Sequence, residues 1–233
     1  MFKPFLVLLL LASAHFTFSE EIQKVDPLEE INRVFYELNF NLLDPVIIKP
    51  IAIIYDQATP KPVRQVLRNF FSNLDEVPSL VNNALQGKFG QAGNNAGRFL
   101  MNTTIGLGGF FDVAKKAGLQ PGEDEDFGQT LAVWGVPAGP YLMLPFFGPS
   151  TFRDAPSNFV DSLFDPFSYN NRLPVRVAIK GIDLIALRAD LLGIDDVISG
   201  DEYLFIRDVY LQNREYVVSD GAIEDNFDDL DDY

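Results

Sequence analysis

Apolar positions along this chain recur mainly at intervals of three and four residues, the spacing of one face of a helix. Leu28, Ile31, Val34, Phe35, Leu38 and Leu42 form the first series. They follow Asp26-Pro27-Leu28-Glu29-Glu30, where an N-cap acid, a proline at the first helical position and first-turn acids predict a helix start. Asp44-Pro45 is expected to close that helix and open another. The next run, Val46 to Tyr55, is apolar nearly all round and carries Pro50, so it reads either as a kinked core helix or as one lying at membrane depth. Thr59-Pro60 predicts the cap of a third helix. Its apolar stripe is Val63, Val66, Leu67, Phe70, Phe71 and Leu74; Lys61, Arg64 and Arg68 occupy the opposite side. That basic face suits solvent, anionic headgroups or an acidic partner. From Val77 to Thr104 the helical pattern continues but is rich in Asn and Gly, which suits close helix packing with amides paired across the interface. Two more helices are predicted, from about Pro174 to Leu192 and from Asp201 to Val218. Few strands are called for.

One segment breaks the periodicity. Phe127 to Phe152 contains no charge and is strongly apolar, with Leu131, Val133, Trp134, Leu142, Met143, Leu144, Phe146 and Phe147. Pro137, Pro140, Pro145 and Pro149, with Gly128, Gly135, Gly139 and Gly148, prevent it from forming a simple spanning helix. Such a segment is either a loop packed by its neighbours or a surface for an apolar partner.

Composition narrows the choice. The 233 residues carry 18 Lys and Arg against 33 Asp and Glu, a net charge of −15, which disfavours nucleic acid as a partner. Lys3 and the apolar run from Phe5 to Ala12 read as an export signal, residues 1–19, with cleavage after Ser19 preferred to cleavage after Ala14. There is no cysteine for a disulfide, a thiolate nucleophile or an N-terminal lipid, and the single histidine, His15, lies in the signal. Neither a Gly-x-Ser-x-Gly elbow nor a histidine to activate a nucleophile is present in the mature region, so no catalytic residue, metal or cofactor is expected. Ser219–Tyr233 holds seven acids and no base, and is expected to be a disordered solvating tail after a single domain at 20–218.

Several phrases, in order, resemble the MlaA/VacJ family. They are Asp26-Pro27-Leu28-Glu29 with Asn32-Arg33, Asn39-Phe40-Asn41, Leu43-Asp44-Pro45, Lys49-Pro50, Pro62-Val63-Arg64, Leu85-Gln86-Gly87, Arg98-Phe99, Asn102-Thr103 and Asp112-Val113-Ala114. Phe127-Gly128-Gln129-Thr130-Leu131 leads on to Gly139-Pro140-Tyr141, Leu144-Pro145-Phe146, Gly148-Pro149 and Arg153-Asp154. The resemblance implies a mainly α, single ring-like helical domain in the inner leaflet of the outer membrane, with a central amphipathic channel and a short hairpin or gate loop. It further implies a non-enzymatic phospholipid channel that removes mislocalised phospholipid from the outer leaflet and passes it to a periplasmic lipid carrier protein, beside a trimeric porin.

On this resemblance Gly139, Pro140, Tyr141, Leu142, Met143, Leu144, Pro145, Phe146, Phe147, Gly148 and Pro149 are the expected channel or gate, and Asn39 and Phe40 the N-terminal segment packed near it. Arg98 and Arg153 are candidates for a headgroup phosphate, or else structural ion-pair residues. Family members carry a lipid on a cysteine after the signal, whereas Leu11-Ala12-Ser13-Ala14 has alanine in that position; retention without a covalent anchor is therefore expected. The alternatives are a secreted lipid hydrolase, or a porin-associated structural protein with no lipid path.

Overall fold

A proline inside a helix removes one hydrogen bond and pushes its ring against the carbonyl four residues back. In the computed structural model, which describes residues 26–193 and 200–222, the chain does not stop at Pro45 as expected. It runs helically from Glu29 to Ala58, 30 residues, by widening its turns. Helix α1 (Glu29–Tyr36) passes into π turns over Glu37–Ile48, and α2 (Lys49–Ala58) resumes the ordinary pitch. Within the wide turns hydrogen bonds reach back five residues, as from Lys49 N–H to the Asp44 carbonyl, which relieves the contact a proline ring makes at four.

The remaining elements are α3 (Lys61–Leu85), α4 (Phe89–Thr104), the short α5 (Val113–Lys116), α6 (Phe127–Val133), strands β1 (Tyr141–Leu144) and β2 (Gly148–Thr151), α7 (Asp154–Ser162), a 3-10 turn at Pro166–Tyr169, α8 (Leu173–Asp190) and α9 (Glu202–Val218). The fold is thus mainly α with one antiparallel hairpin, in which Tyr141 pairs with Thr151 and Leu144 with Gly148. The predicted run from Val77 to Thr104 is divided by a turn at Gly87, whose φ of 81° suits glycine, and α3 and α4 pack as a helical pair. α2 lies on α8, α6 on α7, and β1 on α1.

Two expected caps differ. Thr59 supplies no side-chain cap to α3. Asp26 does not cap α1 from the N-cap position either; its carboxylate accepts from Asn32 Nδ2 at 2.9 Å and from the Tyr203 hydroxyl, pinning the segment before α1 to α9. Asp126 and Asp201 do cap, accepting from Gln129 N and Leu204 N. The signal at 1–19 lies outside the described residues, as does 223–233. The first tail residues are not merely solvating: Ser219–Ala222 form a turn, and Asp220 pairs with Lys88.

Burial in this fold is inverted. Among the described residues, buried polar and charged side chains outnumber buried apolar ones about two to one, and the largest apolar side chains lie mostly outside. The segment Val46–Tyr55 shows the inversion clearly: Val46, Ile47, Ile51, Ile53 and Ile54 are all exposed, and only Ala52 is buried, so the core-helix alternative is excluded.

Candidate functional site

A hairpin of four-residue strands is too short to hold itself in place and must borrow partners. Two asparagines on the first helix provide them. Asn32 Nδ2 donates to the Tyr141 carbonyl at 3.0 Å while its Oδ1 accepts from Met143 N–H at 2.9 Å. Two turns further on, Asn39 repeats the pattern: Nδ2 donates to the Leu144 carbonyl and Oδ1 accepts from Phe146 N–H, both at 2.8 Å. Each amide therefore presents to β1 the donor and acceptor that another strand would offer. Asn39 also holds Phe146 at a φ of 70°, a left-handed conformation unusual for an aromatic residue.

Alternation along the strand then divides the predicted gate residues. Tyr141 and Met143, both expected in the channel or gate, are each 1% exposed and join Tyr36 and Tyr203 in the small apolar core. Leu142 and Leu144 are half-buried, and at the tip Phe146 and Phe147 are 73% and 80% exposed. Gly139, at φ 69°, makes the bend into the hairpin, and Gly148, at φ 81°, the turn into β2. Pro140, Pro145 and Pro149 are half-buried along it.

Beside the hairpin opens a cavity of about 540 Å³. One wall is the first helix, through Tyr36, Phe40, Asp44, Pro45 and Lys49; the facing wall is α9, through Phe205, Ile206, Val209 and Tyr210. Pro149 from the hairpin and Arg188 and Leu191 from the end of α8 complete it. Of the predicted residues, Phe40 and Pro149 reach the cavity and Asn39 buttresses the hairpin next to it. Its charge is concentrated in Arg188, Asp44 and Lys49, with Glu202 accepting from the Tyr36 hydroxyl at 2.9 Å. Tyr210 is held protonated by burial and by the neighbouring Asp154, which raise its pKa, so its hydroxyl donates to that carboxylate.

Arg98 and Arg153 lie elsewhere. Arg98 is 2% exposed and gives its donors to Glu76, the Leu119 carbonyl and Asp112, in the seam between α3 and α4. Arg153 pairs with Asp154 at 2.8 Å, and Arg214 clamps Asp154 and Asp126 together. Of their two readings, the geometry supports the ion pair, and neither arginine lines the cavity. The basic face of α3 is also used internally: Arg64 pairs with Asp56 of α2, and Arg68 with Asp190 of α8. What sequence reasoning missed is Asn32, Arg188 and the α9 wall. Asn32 lies within a quoted phrase, but nothing local marks an asparagine as a substitute strand.

Comparison with known proteins gives this architecture a context. The profile described as MlaA lipoprotein matches residues 24–217. The chain belongs to the MlaA lipoprotein family. It is 38% identical over 221 residues to the intermembrane phospholipid transport system lipoprotein MlaA of Shigella flexneri, and equally to that of Escherichia coli, covering 88% of each chain. The protein of the same name from Haemophilus influenzae is 31% identical over 214 residues. A solved structure described as the structural basis for maintenance of bacterial outer membrane lipid asymmetry superposes with a TM-score of 0.75 at 37% identity, covering 83% of this chain and 98% of that one. The phrases that resemble MlaA contain Asn32, Asn39, Arg98, Asn102, Asp112 and Asp154, which are among the polar residues that tie this fold together.

Proposed function

We propose that this protein is a non-enzymatic phospholipid conduit of the cell envelope, a ring-like domain seated in the inner leaflet of the outer membrane that accepts phospholipid from the outer leaflet and releases it to a periplasmic carrier. The observation that carries the reading is the inverted burial, with amides, carboxylates and guanidinium groups inside and Ile, Val, Leu and Phe outside. Water does not stabilise that distribution; an acyl-chain surround does. Each of these half-exposed apolar side chains contributes about 1 kcal/mol when covered by lipid, so the eight on the first helix together exceed the marginal hold of one acyl chain. Retention therefore does not require a covalently attached lipid, and the remaining apolar surface suits a trimeric porin.

Transfer is a problem of solvation. An unassisted phospholipid exposes its chains to water at about 0.8 kcal/mol per CH₂. A cavity walled by Phe40, Pro149, Phe205, Ile206 and Val209 lowers that barrier by replacing water with apolar side chains, and its charged residues replace water around the headgroup. No bond is made or broken, so direction comes from the lipid gradient and the carrier. Full-length protein reconstituted with labelled outer-leaflet phospholipid should deplete the label and deliver it to an acceptor. Absence of both lipid binding and lipid movement would overturn the reading. Label leaving as lysophospholipid would favour a hydrolase.

A further inference from the structure

We infer that the start of α8 seats an anionic phospholipid of the surrounding leaflet, with Arg172 and Arg176 taking its phosphate and the groove beside Arg176 taking an acyl chain. The inference rests on the reading that lipid surrounds this domain, and it adds a boundary lipid separate from the one in transit. Ion pairing singles out the place. Eight of the ten arginines are paired with an Asp or Glu. Arg172 and Arg176 are the two that have no such partner among the described residues, and both are exposed. The basic face expected on α3 is occupied by Asp56 and Asp190, so the guanidinium groups left for an outside anion are those on α8. Arg176 N–H donates to the Arg172 carbonyl at 3.3 Å, which sets the two one helical turn apart. Like charges at that spacing repel, and a phosphate between them relieves the repulsion. Lys180, a turn further on, is paired with Asp165 at 2.8 Å and takes no part.

The surroundings decide what kind of anion fits. A groove of about 450 Å³ runs beside Arg176, lined by Phe167 of the 3-10 turn and by Leu173, Val177 and Leu184 of α8. Gly181 lines it too and leaves room, since a Cβ there would meet no atom within 4 Å. Leu173 and Val177 are 66% and 62% exposed, so the two arginines rise from an apolar surface. Arginine at a lipid–water boundary is placed in this way, its stem on apolar surface and its head at the level of the phosphates. An acidic peptide would satisfy the charges but leave the groove and its apolar flank in water; a phospholipid covers both. The place is separate from the cavity beside the hairpin, because Arg188, which lines that cavity, lies about 18 Å further along the same helix.

Full-length protein in mild detergent is equilibrated with an equimolar mixture of phosphatidylglycerol and phosphatidylcholine bearing the same acyl chains. Retained lipid is identified by native mass spectrometry, and thermal unfolding is followed in parallel. The unaltered protein should prefer phosphatidylglycerol, against the sense of its net charge of −15. Arg176→Gln should lower that preference about fivefold, and the double change with Arg172→Gln about thirtyfold. The melting temperature should stay the same, because neither guanidinium has a partner in the fold. Lys116→Gln removes an equal charge from an exposed position on α5 and should leave the preference as it was. Gly181→Leu keeps both arginines but fills the groove, and should release the phosphatidylglycerol at unchanged or higher stability. Three results overturn the inference: no preference in the unaltered protein, equal losses in Lys116→Gln and Arg176→Gln, or retention unaffected by Gly181→Leu. Displacement of the lipid by polyglutamate that binds Gly181→Leu equally well also overturns it and assigns the arginines to an acidic protein partner. Each of these leaves transfer of labelled phospholipid to an acceptor intact, so the conduit reading stands. If the unaltered protein retains neither lipid, the reading of a lipid surround fails and this inference fails with it.

Discussion

The seam between α3 and α4 and the outer face of the first helix are both helical surfaces of this chain, yet they follow opposite rules. In the seam, Asn73, Glu76, Asn83, Asn95, Arg98 and Asn102 are buried. On the first helix, Ile31, Val34, Val46, Ile47 and Ile54 face outward. In a water-soluble protein the apolar face would be the adhesive one. Here the adhesion comes from hydrogen bonds: Asn95 donates to Glu76 and accepts from Asn83, while Arg98 joins Glu76, Asp112 and the Leu119 carbonyl. Such bonds are strongest where no water competes, so an apolar exterior and a polar seam support each other.

Breaking the seam should therefore give the largest effect. Arg98→Met leaves the Glu76 carboxylate buried with only an amide beside it, and should destabilise the protein by about 3–5 kcal/mol, measured by thermal or denaturant unfolding in detergent. Replacing an outward residue such as Ile54 or Val46 by Ala should change that stability far less while weakening partition into vesicles. Equal losses at both places would remove the distinction between the two surfaces.

The link between the first helix and the hairpin is the next to break. Asn32→Leu orphans the Tyr141 carbonyl and the Met143 amide in a site only 1% exposed, at about 1–3 kcal/mol for each unsatisfied group. Asn39→Leu orphans groups nearer the surface and should cost less stability while freeing the tip. Amide hydrogen exchange at Met143 and Phe146 separates the two: the first variant should lose protection at both, the second at Phe146 alone.

These residues also show where the sequence was legible. Helix positions followed from three- and four-residue periodicity, because that is a short-range effect. The stop expected at Asp44-Pro45 failed because the chain widened its turns instead of ending, a backbone response that composition does not encode. The uncharged stretch from Phe127 to Phe152 was recognisable as unusual, but alternation within β1 sent Tyr141 and Met143 inward and left Phe146 and Phe147 outside. That division depends on Asn32 and Asn39 fixing the register from more than a hundred residues away. The cavity was less legible still, since α9 reads from sequence as an ordinary helix until it is placed opposite Phe40.

A smaller disturbance tests a second polar knot. A methyl group at Gly128 would sit 2.3 Å from Asp154 Oδ1 and 2.4 Å from Arg214 Nη2. Gly128→Ala should therefore displace the clamp that joins α6, α7 and α9, at a cost of about 1–3 kcal/mol. Burial alone would raise Asp126 and Asp154; the arginine bonds outweigh it and hold both carboxylates below their ordinary value. Their contribution is present above the unfolded carboxylate pKa near 3.8 and is lost as pH falls through the lowered folded values. In Gly128→Ala that acid-dependent loss should shrink, because the pairing it reports is already weakened.

The smallest expected effect comes from adjacent carboxylates on α3. Glu76 faces the seam and has Arg98; Asp75 faces away, and water reaches it. Surrounding protein, then the charges of Asp124 and Asp183, push Asp75 up to about 7, with Lys180 opposing them only in part. With its folded pKa above the unfolded value, Asp75 favours the folded state most below about pH 4, and that contribution disappears as pH rises through 7. The melting temperature should therefore rise modestly as pH is lowered from 8 to 6, and Asp75→Asn should flatten that rise by stabilising the protein at pH 8. Solvent screening keeps the effect small. An unchanged pH profile in Asp75→Asn would place Asp75 on an open outer surface, and the contrast with Glu76 would then be one of burial alone.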